Sequence, residues 1–314
     1  MRRVTRDYLA AVKRRVVSRL IRPTTNAYDA RFEEMQARIV TLSTELEEVR
    51  LGQANNRDAN VSGKQLELLE KYVVANIWRI LDKIYDRELQ SRVLSCIICG
   101  ESGGRHHFEI VVSECMFGGG KLERYRCPSC ECIFGAQKFL DLSPEMVDLD
   151  YRLLYSRYRE GDTTHNEIRT FHSLNPERGK VYLNWGAGAW NSTIDVLRSE
   201  GWDLWGYEPS ATPNASFVIT DKGDLPELDG IISNNVIEHF LDPVQQFNEF
   251  HSFLKPGTLM AHSTACYDYL YPISRFHTVF LMGKSPKVLA ERTGFEIVSK
   301  EREGEYINVV FRRI

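Results

Sequence analysis

The stretch Val181–Asn191, V-Y-L-N-W-G-A-G-A-W-N, constrains this chain more than any other. A short run of β-forming residues ends in Gly186 and Gly188, and a helical pattern follows at Ser192–Glu200. Twenty residues beyond Gly188, a second β-type run closes on Glu208 in W-G-Y-E. Strand, glycine turn, helix and distal acid together describe a nucleotide-cofactor site. The glycines allow close backbone approach, and the acid accepts hydrogen bonds from ribose hydroxyls. Such a unit needs a parallel sheet with helices on its faces, so the rest of the segment must supply further β-α pairs.

It does. From Lys180 on, β-type runs fall at Val181–Trp185, Asp203–Glu208, Ser216–Ile219, Gly230–Asn234 and Thr258–Ser263. Helical patterns follow at Ser192–Glu200, Val244–Leu254 and Pro286–Thr293. The runs Phe295–Lys300 and Tyr306–Arg312, joined by a charged turn, predict a terminal β-hairpin at the sheet edge. The fold class expected is α/β, a Rossmann-like sheet with a terminal hairpin.

The cysteines define a second unit. Six of the seven lie between Cys96 and Cys132, and no secretory leader is evident, so paired C-x-x-C spacing points to metal-bound thiolates rather than disulfides. Cys96-Ile-Ile-Cys99 and Cys127-Pro-Ser-Cys130 are two knuckles with residues 100–126 between them. Two thiolates on each tight turn give the tetrahedral four-cysteine set of structural Zn²⁺. The runs Phe108–Ser113 and Leu122–Arg126, parted by Gly118-Gly119-Gly120, suit a ribbon hairpin. Cys115, Cys132, His106 and His107 are spare donors, read as surface or core residues. Glu101, Glu109, Glu114, Glu123 and Glu131 leave no phosphate-binding face, so nucleic acid is not an expected partner.

The N-terminal third reads as helical. Val4, Tyr8, Val12, Val16 and Leu20 form an apolar stripe in the Arg- and Lys-rich segment 2–22. This basic amphipathic helix suits either a membrane surface or a partner helix. Phe32, Met35, Ile39, Leu42, Leu46 and Val49 alternate in steps of 3 and 4, an a/d seam that predicts a short coiled coil and a homo-oligomer, with a segment folded back on another helix as the alternative. Gly52–Gly63 reads as a linker. A further helix over Gln65–Gln90 carries Leu66, Leu69, Val73, Ile77, Ile80 and Ile84 on one side. No apolar run reaches the ~18–20 residues of a membrane span. The expected location is cytoplasmic, with the inner face of a membrane as an alternative. Four segments are expected: helical and coiled-coil (1–92), zinc ribbon (93–140), helical linker or lid (141–179) and the α/β domain (180–314).

The fourth β-run leads into Asn234-Asn235-Val236-Ile237-Glu238-His239-Phe240-Leu241-Asp242-Pro243, and a helix later comes Leu254-Lys255-Pro256-Gly257. In this order with L-N-W-G-A-G and W-G-Y-E-P-S, the segment 150–314 resembles class I S-adenosylmethionine-dependent methyltransferases of the V-I-E-H-x-x-D-P branch. A nicotinamide reading fits less well, because the third glycine of G-x-G-x-x-G would fall at Asn191. The resemblance implies that Gly186 and Gly188 shape the loop under the methionine part of S-adenosylmethionine and that Glu208 binds its ribose. It also implies that Asp224 flanks the adenine and that Asn234 and Asn235 close over the sulfonium end. His239 and His277 are the candidate bases for a hydroxyl acceptor. Tyr155 and Tyr158 are candidates for a lid. A four-cysteine module before such a domain is similar to sugar methyltransferases, which implies a sugar or glycan acceptor for O- or C-methylation. Three departures stand out. Asn184 replaces the acid before the loop, bulky Trp190 takes its third small position, and only 21 residues separate Glu208 from Asp229. They motivate the alternative of a non-catalytic assembly protein on a degenerate methyltransferase fold.

Overall fold

A computed structural model describes residues 60–155, 158, 161–188, 192–211, 216–268 and 271–314, with side chains from Lys71 onward. The basic segment 2–22, the seam Phe32–Val49, Trp190 and Asn191 lie outside these residues. By compactness the chain divides into Met1–Leu66 with Pro144–Tyr151, and Glu67–Ser143 with Arg152–Ile314. The first is described at 60–66, as helical backbone, and at 144–151.

In chain order the elements begin with helix α1 (Asn60–Glu88). It starts inside the stretch Gly52–Gly63 expected as a linker. Its buried face is Trp78, Leu81 and Tyr85, whereas Ile80, placed on the apolar stripe from sequence, is 47% exposed. The aromatic residues set the buried face because they reach the ribbon and α2 (Gln137–Leu140): Trp78 stacks on Phe139.

The ribbon comprises β1 (Val93–Ser95), β2 (Ser102–Gly104), β3 (Glu109–Glu114), β4 (Lys121–Arg126) and β5 (Ile133–Gly135). Strands β3 and β4 pair antiparallel in register Glu109↔Arg126 to Glu114↔Lys121. Each cysteine knuckle closes alike. Gly100 N–H donates to Cys96 O and Glu131 N–H to Cys127 O, with Gly100 and Glu131 both at positive φ.

After α3 (Pro144–Tyr155) and α4 (Thr164–His172) comes the main sheet. It holds β6 (Val181–Trp185), β7 (Asp203–Tyr207), β8 (Val218–Ile219), β9 (Gly230–Asn234) and β10 (Leu259–Ser263). The late strands β12 (Phe295–Glu303) and β13 (Tyr306–Arg313) complete it. The spatial order is β12-β13-β10-β9-β6-β7-β8. All neighbours from β10 to β8 are parallel, and β13 runs antiparallel between β10 and β12. The hairpin is thus half internal, with only β12 at the edge. The central strands β6 and β9 are buried along almost their whole length, as strands covered on both faces must be. Phe171 of α4 and Ile194 and Leu197 of α5 (Ser192–Ser199) pack on one face. Phe247 and Phe250 of α6 (Pro243–Phe253) and Leu289 of α7 (Ser285–Arg292) are buried on the other. Between β7 and β9 the described residues hold only β8 and a 3₁₀ turn, Lys222–Asp224, as the short spacing required.

The ribbon is not a separate bead. Strand β11 (Val279–Phe280), from the segment after β10, pairs with β5 and completes a four-stranded sheet β11-β5-β4-β3. The stretch that carries His277 is therefore shared by both sheets.

Candidate active site

The glycine loop leaves β6 at the middle of the sheet, where the chain order reverses between β9 and β7, the usual mouth of a ligand crevice. Gly186 and Gly188 adopt φ +73° and +69°, which side chains resist. The N–H groups of Gly186 and Ala187 both donate to Tyr207 O. A methyl group on Gly186 would stand 2.7 Å from Val236, so the loop packs tightly on the segment after β9. At Gly188 no atom of the described residues lies within 4 Å of the corresponding position. Glu208 stands beside it: its carboxylate accepts from Gly188 N–H at 3.2 Å and from the amide and hydroxyl of Ser210 at 3.0 and 2.6 Å. This fixes the acid at the lip of the loop.

Asn184 points into a buried pocket below that loop and donates to Glu167 Oε2 at 2.8 Å. Glu167, from α4, also accepts from the Thr163 hydroxyl at 2.6 Å. A carboxylate thus occupies the place beside β6, but it arrives from another element. Sequence reasoning missed it because α4 lies 17 residues upstream in a helical pattern with no glycine signal.

At the end of β9, Asn234 Oδ1 accepts from Ser263 Oγ at 2.8 Å. That orients the amide, and its Nδ2 is buried with no hydrogen-bond partner among the described residues. Asn235 follows at φ +53°, a left-handed turn that asparagine tolerates. Asp224 lies exposed on the 3₁₀ turn, its N–H bonded to Asp221 O, and none of its described hydrogen bonds reaches Gly188 or Glu208.

His239 and His277 come together, their ring centroids 5.0 Å apart and nearly perpendicular. His239 Nδ1 lies 3.1 Å from Phe276 O, and His277 Nδ1 3.3 Å from Tyr271 O. A carbonyl only accepts, so each Nδ1 carries the proton and each Nε2 keeps its lone pair. Burial pushes His239 down to about 3, with the neighbouring His277 adding to the effect. Burial and then the Arg124 charge push His277 down to about 4. Both rings are neutral acceptors at pH 7.

The ribbon holds this arrangement. Arg124 of β4 is fully buried, and burial pulls it down to about 10, so it stays charged at neutral pH. Its guanidinium donates to Pro272 O (2.7 Å), Ser274 O (2.5 Å) and His277 O (2.9 Å), and lies over the Phe280 ring. Tyr158, expected in a lid, packs edge-on against Phe117 of the ribbon, and Tyr155 is half exposed.

The four cysteine sulfurs Cys96, Cys99, Cys127 and Cys130 lie within 4.8 Å of one another, with Cys96–Cys130 at 3.6 Å and Cys99–Cys127 at 3.4 Å. A tetrahedron with metal–sulfur bonds of ~2.3 Å has edges of about 3.8 Å, so the set can close on one ion. His107 instead meets Glu101 at 2.8 Å on the surface. Cys132 is buried behind the knuckle, and Cys115 faces Arg275.

Residues 155–300 match the family described as a methyltransferase domain. That match, a little under half of the chain, supports an S-adenosylmethionine-dependent methyltransferase. No curated protein matches the chain. Solved structures similar to it include the 1,6-didemethyltoxoflavin-N1-methyltransferase of Burkholderia thailandensis with bound 1,6-didemethyltoxoflavin and S-adenosylhomocysteine. The identity is 15% and the TM-score 0.42, over 61% of this chain and 95% of that one. The magnesium protoporphyrin IX methyltransferase of Synechocystis PCC 6803, with bound S-adenosylhomocysteine, shows 13% identity and a TM-score of 0.38 over 54% and 95%. A complex of the Haloferax volcanii Trm112 methyltransferase activator with a methyltransferase gives 12%, 0.40, 54% and 94%. At these values no substrate is carried across.

Proposed function

We propose that the protein binds S-adenosylmethionine on the Gly186–Gly188 loop and transfers its methyl group to a sugar or glycan. The observation that carries the cofactor assignment is the set of groups around the crevice mouth. Among the described residues nothing fills the position beyond Gly188, which lies beside the Glu208 carboxylate, and on the adjacent strand the Asn234 amide nitrogen is buried without a hydrogen-bond partner. In this reading Gly186, Gly188, Asn234 and Asn235 hold the amino-acid end, Glu208 takes the ribose hydroxyls, and Asp224 lines the adenine side. The cofactor supplies an electrophilic methyl on a sulfonium. The chain's part is to align the acceptor and exclude water. The neutral Nε2 of His239 or His277 takes the proton of a hydroxyl acceptor.

The four cysteines hold structural Zn²⁺, and through Arg124 the ribbon fixes the loop that bears His277. The sugar assignment rests on the pairing of a four-cysteine module with this domain, an argument by analogy. Self-association through the N-terminal helices, contact of the basic segment 2–22 with an anionic membrane surface and a cytoplasmic location complete the proposal. Among the described residues no helix is long and apolar enough to cross a membrane. The alternative of a non-catalytic assembly protein drew on Asn184, and the carboxylate of Glu167 beside it weakens that ground.

Calorimetry with S-adenosylmethionine and S-adenosylhomocysteine tests the cofactor assignment. Both should bind, and Glu208→Ala should lose binding while retaining its fold. Heat from neither ligand would retire the assignment.

A further inference from the structure

One cluster is left over once the cofactor groups are assigned. Glu238, His239 and His277 each offer a ligand atom, and the three atoms lie within 4.8 Å of one another. Glu238 is buried. It lies two residues beyond Val236, the side chain packed on Gly186, so the cluster adjoins the methyl-donor loop.

We propose that Glu238, His239 and His277 form a binding site for a divalent first-row transition-metal ion, placed to receive an oxygen of the methyl acceptor. Two imidazoles and one carboxylate are the donor set of open catalytic sites. Three protein ligands leave room for exogenous oxygen, and imidazole favours zinc, iron or cobalt over magnesium. Metal binding takes an unprotonated imidazole nitrogen. The carbonyls of Phe276 and Tyr271 each hold a protonated Nδ1 and leave Nε2 as the donor. The backbone beneath the ligands is fixed as well. Thr278 N–H donates to Glu238 O at 2.8 Å, Thr278 Oγ1 to Phe240 O at 2.9 Å, and Arg124 to His277 O at 2.9 Å. The three ligands come from two chain segments 38 residues apart, and the Thr278 bonds clamp one onto the other. The guanidinium of Arg124 is the nearby cation, and the Glu238 carboxylate offsets its charge against an incoming ion. The site itself rests on this geometry, and the role of its open position rests on the methyltransferase assignment. An ion held there would occupy both Nε2 atoms, and in place of a histidine base it would lower the pKa of the acceptor hydroxyl.

The test uses the full chain with the four cysteines first filled by zinc, and Co²⁺ as the probe. Cobalt on thiolates shows sulfur-to-metal charge transfer, whereas cobalt on imidazole and carboxylate shows only weak visible bands. The wild type should take up Co²⁺ with the second spectrum at unchanged zinc content. Glu238→Gln and His277→Asn should each weaken that uptake by about tenfold or more. No uptake by the wild type beyond the cysteine ion overturns the proposal, even if the variants fail to fold. So does uptake that both variants retain at wild-type affinity. S-adenosylmethionine binding measured in parallel separates the two ideas. Cofactor binding without cobalt uptake sinks the metal site alone, and cobalt uptake without cofactor binding sinks the cofactor assignment alone.

Discussion

Arg124 gives the sharpest test of how the ribbon and the methyltransferase sheet depend on each other. It is buried with no carboxylate among its described partners, and three carbonyl oxygens of the 272–277 loop receive its guanidinium. Hydrogen bonds to a charged donor contribute about 1.5–3 kcal/mol each, and their sum is offset by the cost of burying the cation. Two of the three oxygens keep another donor after truncation: Ser113 Oγ reaches Pro272 O, and His277 N–H reaches Ser274 O. Only His277 O loses its described partner outright. A net loss of roughly 3 kcal/mol is therefore expected for Arg124→Met. In a unit of this size that corresponds to a melting temperature lower by about 6–12 °C. Arg124→Lys keeps the charge but cannot span three acceptors, so it should recover only part of the loss. Urea midpoints at fixed slope, with calorimetric melting alongside, read the effect. An Arg124→Met variant within about 1 kcal/mol of wild type would refute the clamp, because desolvation would then cancel the bonds entirely.

Further outcomes follow from the loop and the buried polar groups. Gly186→Ala should destabilise by about 2–4 kcal/mol, from positive φ and the Val236 contact together, with Val236→Ala restoring the packing part. Gly188→Ala should cost only the backbone share of ~1–2 kcal/mol yet weaken S-adenosylmethionine in calorimetry. If both variants bind the cofactor like wild type, the loop does not hold it. Asn184→Asp restores the acid that the family places before the loop, but here it sets two carboxylates side by side with Glu167. It should lower the melting temperature at pH 7.5 and do so less at pH 5.5, where the pair can share a proton. Equal losses at both values would count against this geometry. Burial pushes His262 from its ordinary 6.5 down to about 3, with Nδ1 held against Ser233. Its folded value lies below the unfolded one, so its contribution is intact above pH 6.5. That contribution is lost as pH falls from about 6.5 toward 3, at up to ~1.4 kcal/mol per unit. Urea midpoints between pH 7 and 4.5 should fall less steeply in His262→Gln, and parallel curves would argue against a neutral buried ring.

How much of this was legible in the chain differs from feature to feature. Alternating or continuous apolar runs mark strands, and glycine marks turns, because those preferences are set within a few residues. The strands of the main sheet, the positive-φ pair Gly186 and Gly188, and the terminal hairpin could be read that way. So could the two C-x-x-C knuckles, since ligand spacing on a tight turn is local. The apolar face of α1 was misjudged, because several faces of that helix carry aliphatic residues. The docking of Trp78 on Phe139, not periodicity, chose among them.

What only the tertiary structure decided are the meetings of distant segments. The carboxylate missing from Asn184 comes from Glu167, which docks beside β6 because Phe171, one turn along α4, is buried against the sheet. Strand β11 joins the ribbon through an edge that β5 leaves open, and that pairing brings Arg124 to the His277 loop. Glu238, His239 and His277 converge because Thr278 bonds across 38 and 40 residues of chain to carbonyls of the 3₁₀ turn and its cap. No local period encodes such contacts. They depend on which edges and faces remain unpaired after the local elements have formed, and that is settled only when the whole chain packs.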